Sequence, residues 1–524
     1  MSTAIAMVLA LPVVGIALTA LLTGRARVRL SLLLAAGIAS SVLLLARSVL
    51  ADGAAQAVSL RLPTGVEVLL VADGLASTLL LMTSVVGFAV VAFAWAETRG
   101  DPERAHPAYW PLLFALWAGL HLLLLAGDLF TVYLMLEVVA LCGSLLVTLR
   151  GDRGSVLAGT RYFYAELVAS TTMLLGIALV WSQSGTVVFS ELAVALEAAP
   201  LARLGLAVMT IGLLLKAPLV PLHFWLPAAH TLAPSAVSPL LSAVMVKVAF
   251  AVLIRLWFLA VPDLVTTSAA QLIGAMGAFA ILWGSFGALL ATGLKRLVAS
   301  STVAQVGLLF LLVPLVAAGS VDGWSGGLVL ALSHAAAKGA MLMAAAVLVD
   351  SARRAGAPAP GAGDLTEVAD PDSVPGTAAT PGSAATPGTA PRGEATWPLL
   401  MELRGSAARR PIAMMAFGIA SISLVGLPPS GGFVAKWYLL VGSITTGQWW
   451  WVAVVVAGTL LTVGYLMRFV RPAFAPPSDD EVPVPRRDAR DLVALALATS
   501  TLVLGLLPGP FLALLSIGGP HGGG

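Results

Sequence analysis

Apolar runs of about twenty residues recur from one end of this chain to the other, and each is long enough to cross roughly 30 Å of hydrocarbon at about 1.5 Å per residue. Hydrocarbon offers backbone polar groups no water, so such runs must be helices that satisfy their own hydrogen bonds. Of the 524 residues, 59% are hydrophobic and only 10% charged, where a soluble domain carries roughly 25% charged residues. A soluble fold is excluded, and the expected class is an all-α polytopic membrane protein. The one cysteine, Cys142, cannot form an internal disulfide. Without C-x-x-C pairs or clustered ligands there is no sequence case for an iron–sulfur, haem or structural zinc site. No metal, no cofactor and no nucleic-acid partner are expected, and electron transfer by this chain alone is disfavoured.

Apolar length and polar or Pro/Gly breaks place helices near 4–23, 30–50, 70–97, 108–126, 129–149, 158–182, 204–224, 235–260, 269–293, 297–317, 326–349, 411–440, 449–474 and 491–513, about fourteen spans. The first run lacks a basic n-region and an A-x-A site, so it is expected to persist as a helix. Segment 188–198 is too short to span and reads as an amphipathic interfacial piece. Residues 351–398 are dominated by Pro, Gly, Ala, Thr and Ser, with TPG repeated, and are expected to form a disordered loop. Basic residues concentrate in the loops that follow odd-numbered helices, which predicts both termini outside a bacterial plasma membrane.

The lysines carry the chemical signal. There are five, Lys216, Lys247, Lys295, Lys338 and Lys436, among 29 basic residues, and none lies in a long polar loop. A chain that uses Arg for almost every exposed positive charge, yet sets Lys inside apolar segments, points to groups that must be able to lose a proton. Guanidinium cannot do so, whereas a desolvated ammonium can. Lys216 and Lys247 each lie about 12 residues into a span, roughly 18 Å deep at helical rise. The bland alternative is a lysine paired permanently with an acid as structural glue. Intramembrane charges are more often functional.

Glu137 sits in mid-span with no basic residue on its own helix, so its partner must come from elsewhere, Lys216 being the first candidate. His334 and Lys338 are spaced i,i+4 and share a helical face, which suits proton hand-over. Glu166 either joins Glu137 or counters Arg161. Asp128, at a helix junction, reads as an N-cap. Lys295 begins its helix and could serve only the loop charge bias. Two helices read as broken. Pro218 and Pro221 should open one just after Lys216, and Gly426, Pro428, Pro429, Gly431 and Gly432 another just before Lys436. Broken backbone at membrane depth needs protein or water around it. The breaks fall in the seventh and twelfth spans, so spans 4–8 and 9–13 read as inverted copies. The expected organisation is residues 1–107 as three N-terminal helices, 108–260 and 269–474 as inverted repeats, and 491–513 as a last helix.

At these residues the chain resembles the antiporter-like proton-translocating subunits shared by respiratory complex I, Mrp-type cation/proton antiporters and membrane-bound hydrogenases. The likeness covers roughly spans 3–14 and is carried by LLLKAPLVPLHFWLPAAHTLAPSAVSPLLSAVMVK (213–247), LKRLVASSTVAQVG (294–307), SHAAAKGAMLM (333–343) and GLPPSGGFVAKWYLL (426–440). The resemblance implies a fourteen-helix fold with two inverted five-helix repeats and a polar axis along the membrane midplane. It implies that Glu137 and Lys216 form the acid–lysine pair of the first half-channel and that Lys247 is the central connector. His334 and Lys338 would be the second-half relay, Lys436 the exit-side lysine, and His230 a loop histidine near the inward mouth, with Lys295 and Glu166 accessory. The chain departs from the family in its longer 351–398 connection, in the context around Glu137, and in stopping after span 14 without a lateral helix. The expected function is proton translocation as one subunit of a multi-subunit membrane complex. Its parent would be an Mrp-like antiporter or a complex I-like NADH:quinone oxidoreductase, its partners the other membrane subunits, the lipid bilayer, protons and, as a candidate second ion, Na+. A hydrogenase-type complex, a stand-alone solute carrier and a non-conducting structural subunit are the alternatives.

Overall fold

The computed structural model describes residues 3–61, 67–196, 200–354, 400–476 and 488–520. Helices α1 (Thr3–Leu21) and α2 (Gly24–Asp52) lead into a hairpin of β1 (Gln56–Arg61) and β2 (Glu67–Ala72), with Gln56 opposite Ala72 and Arg61 opposite Glu67. The apolar run alone places the start of the third helix near residue 70. In fact α3 (Gly74–Thr98) begins after Asp73, whose carboxylate accepts from the Ala76 amide, a standard N-cap. EVLLVA is short, β-branched and apolar, and periodicity cannot tell such a run from the start of a buried helix. Asp73 also takes both guanidinium nitrogens of Arg255, at 2.7 and 2.9 Å.

The chain continues through α4 (Tyr109–Leu125), α5 (Leu129–Thr148), α6 (Arg153–Ser184) and the short α7 (Phe189–Ala195). Asp128 caps α5 through the Thr131 amide at 2.7 Å, as its junction position indicated. Next come α8 (Pro200–Lys216), α9 (Leu226–Leu232), and a continuous helical run from α10 (Ser238–Leu240) through a π-turn at Leu241–Met245 to α11 (Val246–Arg255) and a second π-turn at Leu256–Ala260. Then follow α12 (Thr267–Leu290), α13 (Leu294–Phe310), α14 (Leu312–Ala317) and α15 (Val321–Arg354). Residues 351–354 are thus the last turn of α15, and the rest of the expected loop to residue 398 lies outside the described residues. The chain closes with α16 (Ser406–Arg409), α17 (Pro411–Val425), α18 (Gly431–Thr445), α19 (Trp450–Ala473), α20 (Ala489–Leu506) and α21 (Gly509–Ser516).

Among the described residues, eleven helices are long and apolar enough to cross a membrane, and Tyr109–Leu125 and Pro411–Val425 are shorter apolar helices. α15 is buried along its whole apolar window and packs against α13, α17, α18 and α20, so it is the central post of the second half. α1, α12 and α19 keep most of their apolar surface outward, as helices bathed in lipid do. At one end, Arg410 bonds Asp491 at 3.1 Å while Arg490 bonds Asp350 at 2.7 Å and Asp488 at 2.8 Å, tying α15, α17 and α20 together.

Both expected helix breaks are present. α8 stops at Lys216, and the Trp225 indole donates to the freed Leu215 carbonyl at 3.0 Å. α17 stops at Val425, Gly426 adopts φ 83°, and α18 restarts at Gly431 behind a Ser430 cap. Helix ends leave carbonyls without intrahelical partners. These ones are answered by side chains.

Candidate functional site

Lys216 is the last residue of α8, and its Nζ lies 2.7 Å from Glu166 Oε2 on α6 and 3.4 Å from the Glu166 carbonyl. Both side chains are buried. The pairing expected between Lys216 and Glu137 is therefore corrected, as is the option that Glu166 counters Arg161. The reason is the seam between α6 and α8. A Cβ on Gly212, one turn before Lys216, would stand 2.5 Å from the Ala169 carbonyl, so the bare glycine lets α8 close on α6 just where Glu166 projects. Glu137 is half-buried on α5, within electrostatic reach of Lys216 and Glu166. Its Oε1 has no hydrogen-bond partner among the described residues.

Beside the ion pair is a small cavity lined by Tyr162, Glu166, Lys216, Trp225, Met245 and Val248, with about 20 Å³ open to the centre of a water molecule. Room for one water takes roughly 10–15 Å³ by that measure. The cavity separates the pair from the helix of Lys247. That lysine is fully buried, and its Nζ bonds the Ser242 carbonyl inside the π-turn. A π-turn shifts the backbone hydrogen bonds from i→i−4 to i→i−5 spacing and is frequent at functional sites. The apolar pattern of 235–260 indicates only a regular helix and carries no sign of the π-turn. Ser242 Oγ meets Thr302 Oγ1 on α13 at 2.9 Å, joining the two halves.

His334 and Lys338 share a face of α15, both buried. Lys338 Nζ donates to the Val298 carbonyl at 3.1 Å and to Ser301 Oγ. His334 has Lys247 and Lys338 as electrostatic neighbours, and neither ring nitrogen has a hydrogen-bond partner among the described residues. His230, on α9, is buried likewise, with Lys295, Lys338 and Lys247 as its charged neighbours. Lys295 is 1% exposed and donates to the Ala233 carbonyl at the end of α9 at 2.6 Å. The option that it serves only a loop charge bias is corrected: α13 starts at Leu294 and carries it straight into the core. Lys436, one turn into α18, donates to the Leu424 and Val425 carbonyls at 3.1 and 2.7 Å and to Thr459 Oγ1 at 3.0 Å. The broken helix thus supplies the acceptors for its own lysine.

Of Lys216, Lys247, Lys338 and Lys436, only Lys216 has a carboxylate partner among the described residues. The others rest on carbonyl and hydroxyl oxygens, which accept a hydrogen bond but bring no countercharge. A permanently charged ammonium in that setting is costly, so the arrangement favours groups that spend time neutral. Among the described residues, no group of three or more His, Cys, Asp or Glu side chains could hold a metal ion.

A family model described as NADH:quinone oxidoreductase/Mrp antiporter, TM, matches residues 126–356 and 397–462. NADH-quinone oxidoreductase subunit N of Desulforudis audaxviator is 31% identical over 466 residues, covering 85% of this chain and 82% of that protein. A subunit N from Solidesulfovibrio magneticus is 29% identical, covering 84% of each chain. Among solved structures, the fold matches a chain of the Mrp complex from Dietzia at a TM-score of 0.79 and 23% identity, covering 100% of this chain and 99% of that one. It also matches a chain of respiratory complex I from Thermus thermophilus at 0.73 and 23%, covering 99% and 100%.

Proposed function

The chain belongs to the NADH:quinone oxidoreductase/Mrp antiporter transmembrane family, and on that premise we propose that it translocates protons as one subunit of a multi-subunit membrane complex. Protons would be handed along Glu137, Glu166 and Lys216, then Lys247, then His334 and Lys338, and out at Lys436, with His230 and Lys295 as accessory groups beside Lys247 and Lys338. The observation that carries this reading is that, of the buried lysines Lys216, Lys247, Lys338 and Lys436, only Lys216 has an acid partner among the described residues. Structural glue would supply an acid to each. The relatives by sequence are NADH-quinone oxidoreductase subunits, which favours that parent over the Mrp-like one. Residues 108–260 and 269–474 would be inverted repeats, each containing one of the two broken helices, with both termini facing outward. A solute carrier is disfavoured by size, because the cavity beside Lys216 has space for about one water where small-molecule pockets run to about 300–1,000 Å³.

The test uses Glu166→Gln, Lys216→Met and the two combined. Either single change breaks the buried pair, at about 3–5 kcal/mol, while replacing both partners is often neutral. The singles should lose stability and proton flux together, and the double should regain stability but not flux. A double variant that pumps like the wild type would overturn the proposal and leave the pair a structural clamp.

A further inference from the structure

Between Lys338 and Lys436 lies a set of buried hydroxyls that the lysine–histidine axis does not use. Lys338 Nζ donates to Ser301 Oγ on α13. The Tyr465 hydroxyl, on α19, has Ser301 as a close polar neighbour and donates to Thr462 Oγ1 at 3.3 Å. Gln305, one turn along α13 from Ser301, donates to both Thr462 Oγ1 at 3.3 Å and Tyr465 Oη at 3.5 Å. Ser301, Thr462 and Tyr465 are all 1% exposed or less. One turn before Thr462 on the same face of α19 is Thr459, whose hydroxyl accepts from Lys436 Nζ at 3.0 Å. A lipid-facing helix, most of whose apolar window is outward, therefore turns one polar stripe inward, and the two ends of that stripe lead to the two lysines. Hydroxyls that only satisfied their own helix would need no such alignment. Thr462 and Thr459 already do that, through the Gly458 and Val455 carbonyls.

We propose that Ser301, Tyr465, Thr462 and Thr459 form a hydroxyl relay that carries a proton from Lys338 to Lys436 along the interface of α13 and α19, with Gln305 as the positioning residue that holds it in register. The proposal rests on the proton-translocation reading above. The ammonium of Lys338 gives a proton to Ser301 Oγ, which releases its own to Tyr465 Oη. Tyr465 passes its hydroxyl proton to Thr462 Oγ1. Residues spaced i,i+3 on a helix are neighbours on one face, with Cβ atoms about 5–6 Å apart, and Thr462 passes its hydroxyl proton on to Thr459, which protonates neutral Lys436. Each hydroxyl gains one proton and loses one, no covalent bond between heavy atoms changes, and the net result is one proton moved from one nitrogen to the other. Rotation of the hydroxyls resets the chain.

The experiment compares Tyr465→Phe, Thr462→Val and Thr462→Ser with Lys338→Ala and Lys436→Ala, measuring proton flux in inverted membrane vesicles per assembled complex. Tyr465→Phe keeps the ring and Thr462→Val keeps the shape, so both should assemble. Losing one proton-transfer group should cost flux at least about tenfold, at or below the lower end of what such groups contribute. Thr462→Ser restores the hydroxyl and should restore flux. Wild-type flux in both Tyr465→Phe and Thr462→Val, beside inactive lysine variants, would overturn the relay and leave the wider reading standing. A Thr462→Ser variant as slow as Thr462→Val would also overturn it, since only packing could then explain the loss. Full flux in the two lysine variants would overturn the wider reading as well.

Discussion

At the scale of single residues, Glu166 and Glu137 present two carboxylates to one lysine, and the resting structure chooses Glu166. Glu137 stays within electrostatic reach with one oxygen unbonded, which suits an acceptor that takes over during the cycle. The two should therefore separate by measurement. Glu166→Gln should lower both the melting temperature of the complex and proton flux. Glu137→Gln should lower flux while stability moves by no more than about 0.5 kcal/mol, the range of changes that break no buried bond. Equal stability losses would show that Glu137 is part of the resting pair. The lysines were legible in the sequence because a charge inside an apolar run stands out whatever surrounds it. The choice of Glu166 was not, because it depends on how far α8 sinks toward α6, and that is decided by a glycine facing the Ala169 carbonyl. The carbonyl and hydroxyl partners were equally hidden, since every residue has a carbonyl and only the fold says which one is left free.

At the scale of elements, the two breaks were legible because Pro and Gly act locally on the backbone. What they are for appears only in the packing. The Gly432 position has no room for a side chain: a Cβ there would stand 1.8 Å from the Ser423 carbonyl. That contact seats the start of α18 against the end of α17 and holds Lys436 over the Leu424 and Val425 carbonyls. Gly432→Ala should push α18 away, with a loss of about 1–3 kcal/mol typical of overpacking and a loss of flux through Lys436. Gly418→Ala, in α17 but with open space around it, is the control and should be silent in both readouts. Matching behaviour of the two variants would count against the seat. The π-turns and the β1–β2 hairpin escaped the sequence reading for a related reason. A π-turn has no residue signature of its own, and a short strand beside a helix shares its apolar composition.

At the scale of the whole molecule, the family match passes over residues 357–396 and resumes at 397, so it covers the stretch of the helical body that holds both breaks and the buried lysines. Fold class was legible from apolar length alone, since hydrocarbon admits so few backbone solutions. The set of buried polar residues was not, because it is assembled from residues on α6, α8, α11, α13, α15 and α18 that lie far apart in the chain. Lys247, the middle of the proposed relay, is fully buried on a π-turn carbonyl. The central claim is that this lysine must pass through a neutral state. Proton flux per assembled complex in Lys247→Arg, set against Lys247→Ala, tests it directly. Arginine keeps the charge and the donors but has a pKa above about 12 and cannot release its proton. Flux in Lys247→Arg should fall to the level of Lys247→Ala, and wild-type flux in Lys247→Arg would contradict the account.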